Sequence, residues 1–151
     1  MSPWAAGFAD RVADRDALRA LVESYARAVD ARESVACAAL FVEEGVLCRV
    51  GDDRFTRRGR AEIISALDTL VRYESTSHVL FDQRVTFDGD DRASGEVESE
   101  GHHVWADDAG RHDKVLTIRY EDSYVRDGDG AWRISVRQLV IEAQAVHDLA
   151  E

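Results

Sequence analysis

The sequence predicts an α+β domain in which three helices precede a curved, mostly antiparallel sheet. Two features of the pattern lead to this fold class. Apolar residues recur at helical spacing in the first half of the chain, and four long β segments separated by short Asp/Gly-rich turns fill the second half. Short connections make neighbouring strands antiparallel, and the helices then bury their apolar faces against the sheet. A chain of 151 residues fits a single domain with a substantial core.

The first helix is predicted over residues 14–30. Residues 1–13 show no helical periodicity and are expected to form a flexible leader. Beyond them, one apolar side chain falls on the same helix face at each turn. This face contains Leu18, Leu21, Val22, Tyr25 and Val29.

Two more helices are expected before the main sheet. An alanine-rich segment predicts a helix over residues 34–42, with Ser34 as its N-cap, and residues 46–50 are predicted as a strand. The sequence Gly-Asp-Asp at 51–53 then turns the chain. A third helix is predicted over residues 60–73. Its broad apolar face consists of Ile63, Ile64, Leu67, Leu70 and Val71.

The second half of the chain is predicted to form an antiparallel meander. The turns between its strands are DGDD at 88–91, DDAG at 107–110 and DGDG at 127–130. The only proline is Pro3, so every strand is free to donate its ladder hydrogen bonds. The predicted strands cover residues 78–88, 92–106, 113–126 and 131–142. The domain is therefore assigned to residues 14–142, followed by a tail at 143–151.

Composition excludes several classes of partner. With 19 Lys and Arg against 30 Asp and Glu, the formal net charge is −11, which repels phosphate backbones and anionic lipid surfaces. We therefore expect no nucleic-acid partner and no membrane association. Charged residues such as Asp10 and Arg11 stand where a signal peptide would be apolar, and a cytoplasmic location is expected.

No cofactor or metal is expected. The two cysteines, Cys37 and Cys48, have no CxxC spacing and are interpreted as buried thiols. Metal binding would need three convergent ligands. His78, Asp82 and one histidine of the 102–103 pair supply them in principle, but without HExxH or HxH spacing. The sequence also contains no glycine-rich phosphate loop and no GxSxG elbow.

Four stretches carry a resemblance to a known family. They are residues 21–30 (LVESYARAVD), Leu40 with Phe41, Gly59 with Ile63, and residues 120–137 (YEDSYVRDGDGAWRISVR). Together and in this order they resemble the nuclear-transport-factor-2-like superfamily, and within it the SnoaL-like group of small cyclases, dehydratases and isomerases. The resemblance covers about residues 12–142. It implies a cone-shaped roll around a pocket, a small apolar substrate, and assembly into a dimer or trimer.

The candidate site residues are most similar to those of the dehydratase and dehydrochlorinase branch, which includes bile-acid dehydratases and, more loosely, scytalone dehydratase. By that resemblance His78 is the general base and Asp30 orients its ring. Arg137 would stabilise a leaving group or oxyanion, and Tyr25 would donate a proton or hydrogen bond. His103, which resembles a second histidine of scytalone dehydratase, is the candidate substrate-binding residue.

Physical chemistry supports these roles and leaves some of them open. A buried carboxylate at Nδ1–H fixes the tautomer of an imidazole and raises its basicity. Strand alternation places Trp132, Ile134 and Val136 on one face, so Arg137 is expected on the other, where it would line a cavity or meet solvent. Tyr25 lies on an apolar helix face and could be a core residue. His102 and His103 face opposite sides of any strand, and parity does not decide which one enters the pocket.

The predicted function is a cofactor-independent acid/base enzyme acting on a small polyketide- or steroid-like substrate. Dehydration is the favoured reaction. Isomerisation and ring closure use the same groups, and substrate shape decides among the three. The alternative from another class is a noncatalytic pocket protein that binds a small ligand, in which Asp30 and His78 form an internal hydrogen-bonded pair.

Overall fold

The computed structural model describes residues 3–150, and their side chains from residue 11 onward. Three helices and a 3-10 turn accompany six strands. The helices are α1 (Pro3–Asp30), α2 (Ser34–Ala38) and α3 (Arg60–Asp68), with the 3-10 turn at Thr69–Arg72. The strands are β1 (Phe41–Arg49), β2 (Asp52–Arg58), β3 (Ser75–Phe87), β4 (Arg92–Asp107), β5 (Gly110–Arg126) and β6 (Trp132–Leu149).

The six strands form one sheet with the order β2-β1-β6-β5-β4-β3. Every neighbouring pair is antiparallel except β1 and β6, which run parallel. Helix α1 packs against β3, while α2 and α3 pack on each other. The core between helices and sheet includes Leu18, Val22, Phe41, Ile63, Val97 and Ile134. The predicted α+β class, with early helices on a mostly antiparallel curved sheet, is confirmed.

The terminal elements extend beyond their predicted limits. Residues 3–13, predicted as a flexible leader, belong to α1. Proline is tolerated in a first helical turn, where its missing N–H has no partner to lose, and alanine favours helix without marking a face. Likewise residues 143–149 of the predicted tail (143–151) continue β6, which pairs with β5 as far as Leu149 opposite Arg111. Residues 1, 2 and 151 lie outside the described residues.

The region between α1 and α3 also differs from prediction. Helix α2 ends at Ala38 rather than at residue 42, because β1 begins at Phe41. Strand β2 was not predicted. Its sequence, DDRFTRR, is highly charged, and an edge strand needs no continuous apolar face. Ser34 is not the N-cap of α2, which is Glu33. Its hydroxyl instead donates to Asp68 Oδ1 at 2.6 Å, linking α2 to the end of α3.

Both cysteines are free, and Cys37 is fully buried. Burial raises the pKa of the Cys37 thiol to about 12, so it stays neutral. Cys48 is only partly buried. Within residues 3–150, no helix has the length and apolar character needed to span a membrane. In the same part of the chain, no three His, Cys, Asp or Glu side chains are grouped to hold a metal ion.

Candidate active site

Asp30 and His78 are in direct contact, although 48 positions separate them. Asp30 ends α1, and its Oδ1 lies 2.7 Å from Nδ1 of His78 on β3. The backbone N–H of His78 donates to Oδ2 of the same carboxylate at 2.8 Å. An ionised carboxylate only accepts hydrogen bonds, so Nδ1 carries a proton, and in the neutral ring the free lone pair is on Nε2. Nε2 is therefore the nitrogen that can accept a proton from another molecule.

The carboxylate of Asp30 is stabilised in its charged form. Burial alone would raise its pKa, but hydrogen bonds from the ring and the backbone of His78 outweigh burial and hold the pKa below its ordinary value. The side chain of His78 is 8% exposed and that of Asp30 is 26% exposed. A cleft of about 660 Å³ opens beside the pair. It is lined by Arg19, Glu23, Ala26, Arg27, Asp30, Ala31, His78 and Leu80.

A glycine on β4 makes room for the His78 ring. Gly101 is paired with His78 across the two strands. A Cβ atom at position 101 would lie 3.3 Å from His78 Nε2 and 3.2 Å from Cε1 of His103. These distances are tighter than ordinary van der Waals contact, so a side chain at this position would displace one ring or the other. The absence of a side chain at Gly101 thus sets where both histidines lie.

Arg137 is fully buried, contrary to the orientation predicted from strand alternation. Val136 pairs with Ser123 and Ile134 pairs with Tyr124, so Ser135 is an extra residue in β6. Such a β-bulge reverses the alternation of side chains. Arg137 therefore points to the same face as Ile134 instead of the opposite one.

The buried guanidinium of Arg137 is paired with a buried carboxylate. Its Nε and Nη2 donate to the two oxygens of Asp122 at 2.9 and 2.8 Å. The rings of Tyr25 and Tyr120 lie 4.3 and 3.9 Å from its central carbon. Burial by itself would lower the pKa of this group, but Asp122 keeps it above the ordinary arginine value. Among the described residues, nothing accepts a hydrogen bond from Nη1.

Tyr25 is a buried member of the core and also a neighbour of Arg137. Its ring packs edge-on against Phe41 and Tyr120, with centroids 6.1 and 6.0 Å away. Burial raises the pKa of Tyr25 well above the ordinary tyrosine value. The hydroxyl therefore stays protonated near neutral pH and can act as a hydrogen-bond donor.

His103, and not His102, lies beside the Asp30–His78 pair. Its ring centroid is 5.7 Å from that of His78, and it is 7% exposed. Its Nδ1 lies 3.3 Å from the carbonyl oxygen of Lys114, which can only accept, so Nδ1 carries the proton. The His102 ring instead contacts Glu100 and Asp113, at 2.8 and 2.7 Å. Burial and the nearby His78 lower the pKa of His103 to about 4.

The buried, neutral state of His103 predicts a pH-dependent stability. Its pKa is about 4 in the folded protein against 6.5 ordinarily, so the unfolded chain binds the extra proton between these values. As pH falls from 6.5 towards 4, the free energy of unfolding should therefore decrease, by up to about 1.4 kcal/mol per pH unit from this group. Urea unfolding at pH 7 and pH 5 measures the change. The His103→Gln variant should lose this part of the pH dependence, and an unaltered pH dependence would contradict the assignment.

The structure brings the predicted residues together in two groups. Asp30, His78 and His103 form one group. Tyr25 and Arg137 form the other group, and Tyr120 packs on both of them. Burial, and to a smaller extent the charge of Asp30, raise the pKa of Tyr120, so this side chain also lies near the first group. Sequence reasoning missed Thr76, Tyr120 and Asp122. Asp122 pairs with Arg137 in the β5–β6 register, so an accurate strand register is the signal that would have revealed it.

The chain matches a known family over most of its length. Residues 10–138 match the model of the SnoaL-like domain. The chain therefore belongs to the SnoaL-like family, within the nuclear-transport-factor-2-like superfamily, as the sequence resemblance predicted. No curated protein sequence matches the chain at a significant level.

Several solved structures have a similar fold. A candidate scytalone dehydratase from Novosphingobium aromaticivorans DSM 12444 is 20% identical with a TM-score of 0.83, covering 95% of this chain and 93% of that one. Hexachlorocyclohexane dehydrochlorinase LinA-type3 from Novosphingobium barchaimii LL02 is 19% identical with a TM-score of 0.79, covering 94% and 97%. An NTF2-like protein with a cystatin-like fold from Novosphingobium aromaticivorans is 25% identical with a TM-score of 0.72, covering 91% and 87%. All three structures share the fold of this chain over at least 91% of its length.

Proposed function

We propose that this protein is a cofactor-independent lyase that removes water from a small, largely apolar polyketide- or steroid-like substrate. The observation that carries the proposal is the 2.7 Å contact between Asp30 Oδ1 and His78 Nδ1. That contact leaves Nε2 as a base and places a negative charge beside the imidazolium that forms when Nε2 accepts a proton. The names of the similar dehydratase and dehydrochlorinase structures describe eliminations of this type.

In the proposed reaction, His78 Nε2 takes a proton from a carbon next to a carbonyl group. The electrons of the broken C–H bond form an enolate, whose collapse forms a C=C bond and breaks the C–O bond at the β position. The departing hydroxide takes this proton back from the imidazolium and leaves as water, while the Tyr25 hydroxyl donates a hydrogen bond to the departing oxygen. Asp30 stabilises the imidazolium throughout, so the enzyme returns to its starting protonation state.

Arg137 and Tyr25 are proposed to stabilise negative charge that develops on oxygen. The Nη1 group of Arg137 is a buried donor without a partner in the described part of the chain, and the Tyr25 hydroxyl remains protonated. Donors already fixed in a low-dielectric site stabilise an oxyanion strongly because they need little reorganisation. His103, neutral and next to His78, would contact the substrate. Isomerisation or ring closure would use the same groups, with the proton returned to a different atom.

A panel of cyclic β-hydroxy ketones tests the proposed reaction. The product of dehydration is a conjugated enone, whose ultraviolet absorbance reports turnover directly. We expect at least one member of the panel to form enone with the native protein and not with the Asp30→Asn variant. Calorimetric binding of the same compounds, with equal affinity and no turnover by both proteins, would instead favour a noncatalytic ligand-binding protein.

A further inference from the structure

The geometry points to Thr76 and Arg32 as positioning residues for the proposed dyad. The two side chains extend the Asp30–His78 contact into a four-residue chain of hydrogen bonds, named here the Arg32–Thr76–Asp30–His78 chain. Arg32 Nη1 donates to Thr76 Oγ1 at 2.8 Å, and Thr76 Oγ1 donates to Asp30 Oδ1 at 3.0 Å. The catalytic meaning of this arrangement rests on the proposed function, whereas its physical basis can be tested without a substrate.

The chemistry of the groups fixes the direction of each bond in this chain. A guanidinium only donates, an ionised carboxylate only accepts, and a hydroxyl has one proton to give. With Arg32 on one side, the Thr76 hydroxyl must accept from the guanidinium and give its own proton to Asp30. The positive charge of Arg32 polarises that hydroxyl, which makes Thr76 a stronger donor to the carboxylate.

Three donors together hold the plane of the Asp30 carboxylate. Oδ1 receives the Thr76 hydroxyl and the His78 ring N–H, and Oδ2 receives the backbone N–H of His78. Thr76 is 7% exposed and precedes His78 by two residues on β3, so both side chains lie on one face of the strand. Removing the Thr76 hydroxyl would leave Oδ1 held by the ring alone, and the carboxylate would be freer to rotate.

The backbone of Arg32 supplies an independent observation. Arg32 has a φ of 62°, and hydrogen bonds from Arg32 N to Val29 O and from Glu33 N to Ala28 O close the end of α1. In this helix-ending motif glycine is the preferred residue at the left-handed position. A residue with a Cβ is disfavoured there, because its Cβ comes too close to the following carbonyl oxygen. The chain has an arginine at this position, and that arginine is the one that reaches Thr76.

Replacement of Arg32 by glycine therefore separates two roles. If Arg32 only ends the helix, Arg32→Gly should match or raise the stability of the protein and leave the dyad unchanged. If Arg32 also positions the dyad, the variant should be equally stable, but the pKa of Asp30 should change. The hydrogen bond from Thr76 is one of the causes that lower the pKa of Asp30. Losing it, or losing the cation that polarises it, should raise that pKa.

The experiment follows the Asp30 carboxyl carbon by NMR during an acid titration, with urea unfolding of every variant. Both Thr76→Val and Arg32→Gly are expected to raise the pKa of Asp30 relative to the native protein. Thr76→Ser, which keeps a hydroxyl, should restore the native pKa. Thr69→Val is the matched control, because the Thr69 hydroxyl bonds only to the carbonyl of Ala66 at the end of α3. An unchanged Asp30 pKa in Thr76→Val would overturn the inference.

A double-mutant cycle distinguishes the hydrogen-bonded chain from a through-space effect of the Arg32 charge. If the effect passes through the Thr76 hydroxyl, Arg32→Gly should shift the Asp30 pKa much less in the Thr76→Val background than in the native protein. Additive shifts would overturn the chain. Once a substrate is found, Thr76→Val should lower kcat about 10- to 100-fold, with little change in KM, because only the orientation of the base is lost. The titration tests the hydrogen-bonded chain even if no substrate is turned over.

Discussion

The His78→Ala variant is expected to lose about 10²- to 10⁴-fold in kcat, the usual contribution of a positioned general base. The variant removes Nε2. Because Nδ1 is in contact with Asp30, Nε2 is the ring nitrogen that can accept a proton. Asp30→Asn should also lower kcat, because an amide at this position does not stabilise the imidazolium. Steady-state kinetics on the enone-forming substrate measures both losses.

A second histidine provides the control for this measurement. His147 is exposed on β6, and His147→Ala should keep native kcat and KM. Circular dichroism and urea unfolding of the His78→Ala variant should show a folded protein at the temperature of the assay. A folded His78→Ala variant that retains more than about a tenth of native kcat would have lost less than the range expected for removal of a general base. That result would show that His78 is not the base.

The Asp122→Ala variant is expected to lose about 3–5 kcal/mol of the free energy of unfolding. Both side chains of the Asp122–Arg137 pair are 0% exposed, so removal of the carboxylate leaves a buried, uncompensated guanidinium. The change also removes the acceptor of the Tyr124 hydroxyl, which donates to Asp122 at 2.6 Å. Urea unfolding monitored by tryptophan fluorescence gives the difference.

An exposed pair of the same chemistry is the matched control. Arg133 and Asp129 also form a contact of 2.8 Å, but their side chains are 22% and 56% exposed. Water screens such a pair, and Asp129→Ala should cost much less of the free energy of unfolding than Asp122→Ala. Adding Arg137→Met to Asp122→Ala should recover part of the lost stability by removing the buried charge. Equal losses in Asp122→Ala and Asp129→Ala would show that burial does not govern the Arg137 pair.

The elements with a clear periodic pattern were predictable from the sequence. The apolar face of α1 and the long strands β3 to β6 follow directly from it, because burial on one side imposes a period on each element. Strand β2 and the first turns of α1 carry no such period and were missed. A position at a sheet edge, or helix propensity without an apolar face, leaves no mark of this kind in the sequence.

The site was predictable in its residues and only partly in its geometry. The pairing of Asp30 with His78 came from family resemblance, since no local rule relates two residues so far apart. The orientation of Arg137 was wrong because the extra residue at Ser135 reverses the strand alternation, and a single inserted residue does not change composition. Its buried partner Asp122 was missed for the same reason. Assembly into a dimer or trimer and a cytoplasmic location stay predictions.

In all three proposed reactions His78 removes a proton from carbon, whatever bond is made or broken afterwards. Deuterium exchange at the carbon next to the carbonyl, measured by NMR in D2O over a panel of cyclic ketones, tests this step for dehydration, isomerisation and ring closure alike. We predict exchange above the buffer rate with the native protein, and exchange at the buffer rate with His78→Ala. Equal exchange by the two proteins, or no exchange above the buffer rate with any ketone, would contradict the account.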